Sequence, residues 1–143
     1  MAGKVTDKDM GLKRFLRTID EAPKRRVAVG IVDGEIATYA AANEYGAGNI
    51  PERPFMRTTI DAEQERWGQE LRDAVGKAID GSGTLKGAYT KVGLKVRNQM
   101  IRTIVNWKTP PNTEAVARRK GANNPLVDTG AMQRAITVEV RKK

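Results

Sequence analysis

The sequence contains neither cysteine nor histidine among its 143 residues. Without cysteine, the chain has no disulfide, no thiolate ligand for a metal and no cysteine nucleophile. Without histidine, it lacks the commonest general base and the residue that activates serine in a catalytic triad. Because these residues serve so many catalytic mechanisms, their absence predicts a protein that is not an enzyme.

Aromatic residues and long apolar runs are also scarce. Aromatic side chains make up 5% of the chain, and no apolar run approaches the roughly 18 residues that a membrane span needs. The first fifteen residues lack the apolar stretch of a signal peptide. We therefore expect a modest core, no membrane partner, and a protein kept or assembled inside a cell. The length is typical of one domain covering residues 1–143.

Positive charge is in excess but is unevenly distributed. The chain has 26 lysines and arginines against 17 acidic residues, which gives a net charge of +9. Residues 1–26 (8 basic, 4 acidic) and 108–143 (8 basic, 3 acidic) are basic, whereas residues 27–60 (2 basic, 4 acidic) are acidic. The basic ends can bind nucleic acid together if they meet in space. Unlike charged surfaces can equally join one subunit to the next in a ring.

The periodicity of apolar residues predicts helices and strands in one fold. Alternating apolar residues predict strands at 25–32 and 136–141, and three- and four-residue steps predict long helices near 58–80 and 84–107. Shorter helices are predicted around 12–19, 35–45, 114–120 and 129–134. The expected fold class is α+β, a small antiparallel β-sheet packed against two long α-helices, plus short helices.

The expected helix boundaries rest on residues that can cap a helix or form a turn. Glycine and proline mark the ends, and threonine or aspartate marks the starts. The first long helix would carry Asp61 and further acidic residues in its first turns, where their negative charge interacts favourably with the helix dipole. The expected start and turn residues are Thr6 or Asp7 for the first helix, Thr58 or Thr59 for the first long helix, and Asp33-Gly34 as a turn.

Carboxylate pairs and the single serine are weak candidates for catalysis. Arginines flank the pairs Asp61/Glu65 and Glu70/Asp73, which is typical of a solvated helix face with ion pairs. Ser82 has no histidine to activate it, and no acidic spacing resembles a calcium loop. We therefore predict no catalytic, cofactor-binding or metal-binding residue.

The first of two distinctive loops follows the helix predicted at 35–45. Residues 43–46 are Asn-Glu-Tyr-Gly, and residues 50–57 are Ile-Pro-Glu-Arg-Pro-Phe-Met-Arg. The prolines stiffen an extended segment that ends in apolar side chains. Either this loop is a rigid crossover whose Phe55 plugs the core, or it is a subunit-interface loop. The candidate interface residues are Arg53, Pro54, Phe55 and Arg57.

The second distinctive loop, at 124–132, is Asn-Pro-Leu-Val-Asp-Thr-Gly-Ala-Met. We expect Asp128, Thr129 and Gly130 to form a structural cap, with the carboxylate accepting backbone N–H groups. A basic run just before it can face a DNA channel or a protein partner, as can the runs at 24–26 and 141–143. The residues of that first run are Arg118, Arg119 and Lys120.

Taken together, these two motifs resemble those of small morphogenesis proteins of tailed bacteriophages, in the neck and tail-completion class. Their order and spacing match from about Val27 to Val140, except that Glu52 stands where the class often has a small residue. The resemblance implies a small sheet with helices and a structural role at the head–tail junction. It also implies a homo-oligomeric ring, usually hexameric, around the channel through which DNA leaves.

The resemblance also implies partners and a location. These are further copies of the chain, the phage connector or head-completion protein, the tail tube protein, and double-stranded DNA that passes without sequence recognition. The location is the virion, assembled in the host bacterial cytoplasm. Our leading hypothesis is a neck, tail-completion or tail-terminator ring subunit. The alternative is a basic nucleic-acid-binding protein.

Overall fold

The structure, a computed structural model, describes residues 9–143. The described part of the chain contains six α-helices and two strands. A short 3₁₀ turn, Ala22–Lys24, links the first helix to the first strand. In chain order the elements are α1 (Leu12–Glu21), β1 (Arg25–Ile31), α2 (Gly34–Tyr45), α3 (Phe55–Asp80), α4 (Leu85–Asn106), α5 (Glu114–Lys120), α6 (Ala131–Ala135) and β2 (Ile136–Lys142).

The two strands form an antiparallel sheet that packs on α4. Val29 pairs with Val138, and Val27 pairs with Val140. Gly93 of α4 lies against this valine face, where a Cβ atom would overlap the side chains of Val27 and Val138. Glycine weakens a helix, but here the missing side chain lets helix and sheet approach each other closely.

The long helices α3 and α4 pack side by side, and the core lies between α4, the sheet and the two distinctive loops. Phe55, Ile104 and Leu126 are almost completely buried in this core, together with Ile136 at the start of β2. The Thr59 hydroxyl also donates to Thr103 across the helix pair at 2.8 Å. Within residues 9–143, no helix is long and apolar enough to cross a membrane.

The α+β prediction is confirmed, and most element boundaries agree with it. The predicted strands lie in β1 and β2, α5 has its predicted bounds, and Thr84 caps α4 by accepting the N–H of Gly87 at 3.0 Å. Gly46 ends α2 with a positive φ of 73°, a conformation that favours glycine.

Three predicted boundaries were wrong or lie outside the described residues. Helix α3 begins at Phe55, so Thr58 and Thr59 do not cap it, and its first turn holds no acidic residue. Asp33 is not part of a turn: its carboxylate caps α2 by accepting the N–H of Ile36 at 3.0 Å. The caps predicted for the first helix, Thr6 or Asp7, lie outside the described residues, and Gly11 precedes α1.

Candidate functional site

Arg53 connects the first distinctive loop to the Pro-Pro loop that follows α4. Its guanidinium donates to the carbonyl oxygens of Pro110 at 3.0 Å and Pro111 at 3.1 Å, and to Asn43 Oδ1 at 3.3 Å. The side chain is only 5% exposed. Burial without a carboxylate partner lowers the pKa of Arg53. The three acceptors satisfy this buried cation and fix the end of α2 against residues 110–111.

Glu44, at the end of α2, caps the start of α3. One carboxylate oxygen accepts the N–H of Met56 at 2.9 Å, and the other accepts the N–H of Arg57 at 3.0 Å. Both N–H groups belong to the first helical turn, where backbone N–H groups have no carbonyl partner within the helix. Glu44 is 3% exposed, and its negative charge lies at the positive end of the helix dipole. A residue 11 positions before Phe55 therefore determines where α3 begins.

Arg57 completes this arrangement at the surface. Its guanidinium contacts the carboxylates of Glu52 at 2.6 Å and Glu44 at 3.1 Å, and it lies 5.0 Å from the centre of the Tyr45 ring. The hydrogen bonds that the guanidinium donates to the carboxylates of Glu52 and Glu44 raise the pKa of Arg57. The side chain remains about half exposed, so it is accessible to a partner while paired within the subunit.

The interface-loop prediction therefore needs correction at two of its four residues. Phe55 is fully buried and forms part of the core, which confirms the rigid-crossover alternative for that side chain. Arg53 is committed to acceptors inside the subunit. Pro54 is half-buried and Arg57 is exposed, so only these two remain candidates for contact with another subunit.

The two distinctive loops meet around one open cavity of about 470 Å³. Its apolar lining includes Ile36, Tyr39 and Met132, and charged side chains surround it. Many of the residues singled out from the sequence lie here. These are Arg53, Arg119, Lys120, Asp128, Thr129 and Gly130. The fold thus brings together two motifs that are about 70 residues apart in the sequence.

Lys120 stabilises the second loop from inside. Its ammonium group donates to the carbonyl oxygens of Val127 at 3.1 Å and Asn124 at 3.4 Å. Burial lowers the pKa of Lys120. Of the three residues predicted to face DNA or a partner, Arg118 and Arg119 are exposed, whereas Lys120 is half-buried and occupied within the loop.

The predicted cap at the start of α6 forms with different atoms. The hydroxyl of Thr129, not the carboxylate of Asp128, accepts the N–H of Ala131 at 3.3 Å. Gly130 occupies the cap position itself with a φ of 76°, a left-handed conformation that favours glycine. Asp128 is exposed at the edge of the cavity. Thr129 and Gly130 thus lie at the start of α6 as expected, but the Asp128 carboxylate accepts no backbone N–H there and the predicted carboxylate cap is wrong.

The basic runs at the two ends of the described chain come together at one end of the sheet. Arg25 pairs with Lys142 and Arg26 pairs with Arg141, and the N–H of Lys143 donates to the carbonyl of Lys24 at 2.7 Å. Asp20 and Glu139 neutralise part of this charge through contacts with Lys24 and Arg141, both at 2.6 Å. We call residues 24–26 with 141–143 the sheet-end basic cluster.

Sequence reasoning missed the roles of Asn43 and Glu44, although both lie in the first motif. A negatively charged glutamate is unfavourable at the C-terminal end of a helix, where the helix dipole is also negative. Its position at the end of α2 was therefore a signal that its carboxylate binds a different element. Within residues 9–143, no group of three acidic side chains is placed to hold a metal ion.

Comparisons with known proteins give no relative for the chain: no protein-family model, curated protein or solved structure matches it.

Proposed function

We propose that this chain is a structural subunit of a tailed-phage virion, in a ring at the junction between head and tail. The ring is a neck, tail-completion or tail-terminator component that surrounds the DNA channel. Its neighbours are further copies of the chain, the connector or head-completion protein, and the tail tube protein.

The observation that carries this proposal is the meeting of the two motifs on which the phage resemblance rests. Residues 43–57 fold into one unit in which Glu44 caps α3 and Arg53 binds residues 110–111. This unit and residues 124–132 line the same cavity. The motif residues thus act together in one local architecture, which gives a physical reason for their combination in a single chain.

Electron microscopy tests the proposal directly. We expect purified protein, or particles labelled with an antibody to this chain, to show a ring at the head–tail junction. Removing the gene from the phage should give heads and tails that do not join, or tails of abnormal length. Compact monomers in solution together with normal particles after gene removal would contradict the proposal.

The sheet-end basic cluster favours a second candidate function, non-specific binding of nucleic acid. Five of its six residues, all except Arg25, are exposed. Such a surface binds phosphates without reading base sequence. In a ring, the same surface suits contact with passing DNA.

Salt dependence of binding to short duplex DNA tests this second function. Each phosphate contact contributes about 0.9 to the slope of log affinity against log salt. Replacing Arg26 and Lys142 with glutamine should therefore lower the slope by about 2. The matched control replaces Arg118 and Arg119 with glutamine. Equal slopes in wild type and the Arg26/Lys142 variant would exclude the sheet-end basic cluster as the DNA-binding surface.

A further inference from the structure

Helix α1 exposes the apolar face that amphipathic helices normally bury. Leu12, Phe15, Leu16 and Ile19 share one side of the helix, and each is between 41% and 62% exposed. We call these four residues the α1 stripe. A contiguous apolar surface of this kind, bordered by charged residues, is typical of a protein–protein contact.

The rest of the chain holds α1 by a different side. Thr18, which lies away from the stripe, is the buried residue of this helix. The guanidinium of Arg14 donates to the carbonyl oxygens of Ile79 at 3.4 Å and Asp80 at 3.2 Å, at the C-terminal end of α3. Within residues 9–143, the α1 stripe therefore remains about half exposed, although Arg14 and Thr18 attach the helix to the rest of the fold.

A complementary groove lies near the other end of α3. It has a volume of about 260 Å³ and lies between α2 and α3, with Ala41, Tyr45, Met56 and Ile60 in its lining. Tyr45 and Ile60 are themselves partly exposed. The volume is below the roughly 300 Å³ of the smallest typical small-molecule sites, so the groove suits inserted apolar side chains.

The chain cannot fill this groove with its own stripe. Helix α1 is attached beside Ile79, whereas the groove contains Ile60. At 1.5 Å per residue, these two positions on α3 are about 28 Å apart. Because the stripe and the groove lie at opposite ends of one rigid helix, they can contact each other only between two copies of the chain. Repeated contacts of that kind build a ring or a filament.

Charge supports the same pairing. Residues 9–26, which include α1, have six basic and three acidic residues. By helical geometry, Lys13 and Asp20 border the α1 stripe. Residues 33–65, which form the walls of the groove and their surroundings, have seven acidic and two basic residues. Unlike charges around an apolar contact favour encounter and set its orientation.

We infer that the α1 stripe of one subunit docks in the α2–α3 groove of the next subunit, head to tail. This inference rests on the proposed function, because it names the contact that closes the ring. The occupant of the groove is a second copy of this chain.

Cross-linking can test the contact cleanly because the natural chain has no cysteine. We expect Ile19→Cys combined with Ile60→Cys to give a ladder of covalent oligomers with a short bismaleimide linker. The matched control is Leu94→Cys with Ile60→Cys, since Leu94 on α4 and Ile19 are both 48% exposed. The control should give no ladder.

Charge insertion provides the second measurement. Ile19→Glu should raise the concentration at which oligomers dissociate at least about tenfold, which corresponds to about 1.4 kcal/mol. Leu94→Glu should change it less than about twofold. Sedimentation velocity measures both, and circular dichroism verifies that each variant is folded.

The outcomes separate this inference from the proposed function. Suppose that the wild-type chain forms oligomers, that Ile19→Glu does not dissociate them, and that the Ile19→Cys/Ile60→Cys variant gives no ladder. This result overturns the docking inference but leaves the ring proposal standing. Covalent dimers from Ile19→Cys alone, without a ladder from the pair, show a symmetric α1 contact and overturn it too. A linkage formed only within one chain shows that the chain covers its own stripe. A wild-type chain that stays monomeric and unlinked at every soluble concentration overturns both proposals.

Discussion

The segment 43–57 and helix α1 differ in how completely their side chains are satisfied within one subunit. In the first region, buried Glu44 and Arg53 form their hydrogen bonds with partners in the same chain. In α1, four large apolar side chains are about half exposed, and Arg14 joins the helix to the end of α3. The first region is satisfied within the monomer, whereas the second leaves apolar surface exposed.

This contrast separates residues that maintain the fold from residues available for assembly. A buried polar group left without a partner costs about 1–3 kcal/mol, so changes in the first region should destabilise the monomer. Exposed side chains contribute little to the free energy of unfolding. Changes in the α1 stripe should therefore leave the monomer intact.

The largest expected effect is that of Glu44→Ala. It removes the acceptor for two N–H groups at the start of α3 and leaves Arg57 without its buried partner, so we expect a loss of about 3 kcal/mol in the free energy of unfolding. Urea denaturation measures it. The control Glu52→Ala removes the exposed partner of Arg57 and should cost below about 1 kcal/mol. Similar losses in both variants would show that the cap is unimportant.

Arg53→Met should have the next largest effect. The methionine fills part of the same volume but leaves the carbonyls of Pro110 and Pro111 without their donor, so we expect a loss of about 2 kcal/mol. Arg119→Met, at the edge of the same cavity, is the matched exposed control and should lie within about 0.5 kcal/mol of wild type. A stable Arg53→Met variant would refute the role of Arg53 in joining the loops.

Leu16→Ser should have almost no effect on monomer stability. Leu16 is about half exposed in the α1 stripe, so we expect a change within about 0.5 kcal/mol when unfolding is measured on dilute monomer. A loss of several kcal/mol would show that the stripe is buried within the monomer. That result would remove the contrast between the two regions.

The smallest effect is a pH dependence at the point where α1 meets α3. The hydroxyl and backbone N–H of Ser82, with a contribution from Arg14, hold the pKa of Asp80 below its usual value. The resulting stabilisation is fully present above the unfolded-state pKa, about 4, and is lost as pH falls through the lower folded-state pKa. The free energy of unfolding of the wild type should therefore be slightly larger than that of Asp80→Asn at neutral pH. Urea denaturation in acid should give equal values for the two proteins. A difference that is constant with pH would contradict this.

Local patterns in the sequence were sufficient for the helices, the strands and their order. The bounds of α5 and the start of α4 near residue 84 follow from residues within one or two turns, where periodicity and capping act. The start of α3 could not be predicted from local patterns, because Glu44 supplies its cap from another helix. The same limit explains why the role of Arg53 within the subunit was not predicted, since its acceptors at 110 and 111 are more than 50 residues away.

The α+β class, the two long helices and the two loops that carry the phage resemblance follow from local patterns of residues. Periodicity also places four apolar residues on one side of α1. Three further features depend on the folded chain: this side of α1 is partly exposed, Phe55 faces the core, and the basic runs at 24–26 and 141–143 meet. The two groups of features differ in the range of the interactions that fix them. Backbone propensity and periodicity depend on near neighbours, whereas burial and the pairing of polar groups depend on residues that only the folded chain brings together.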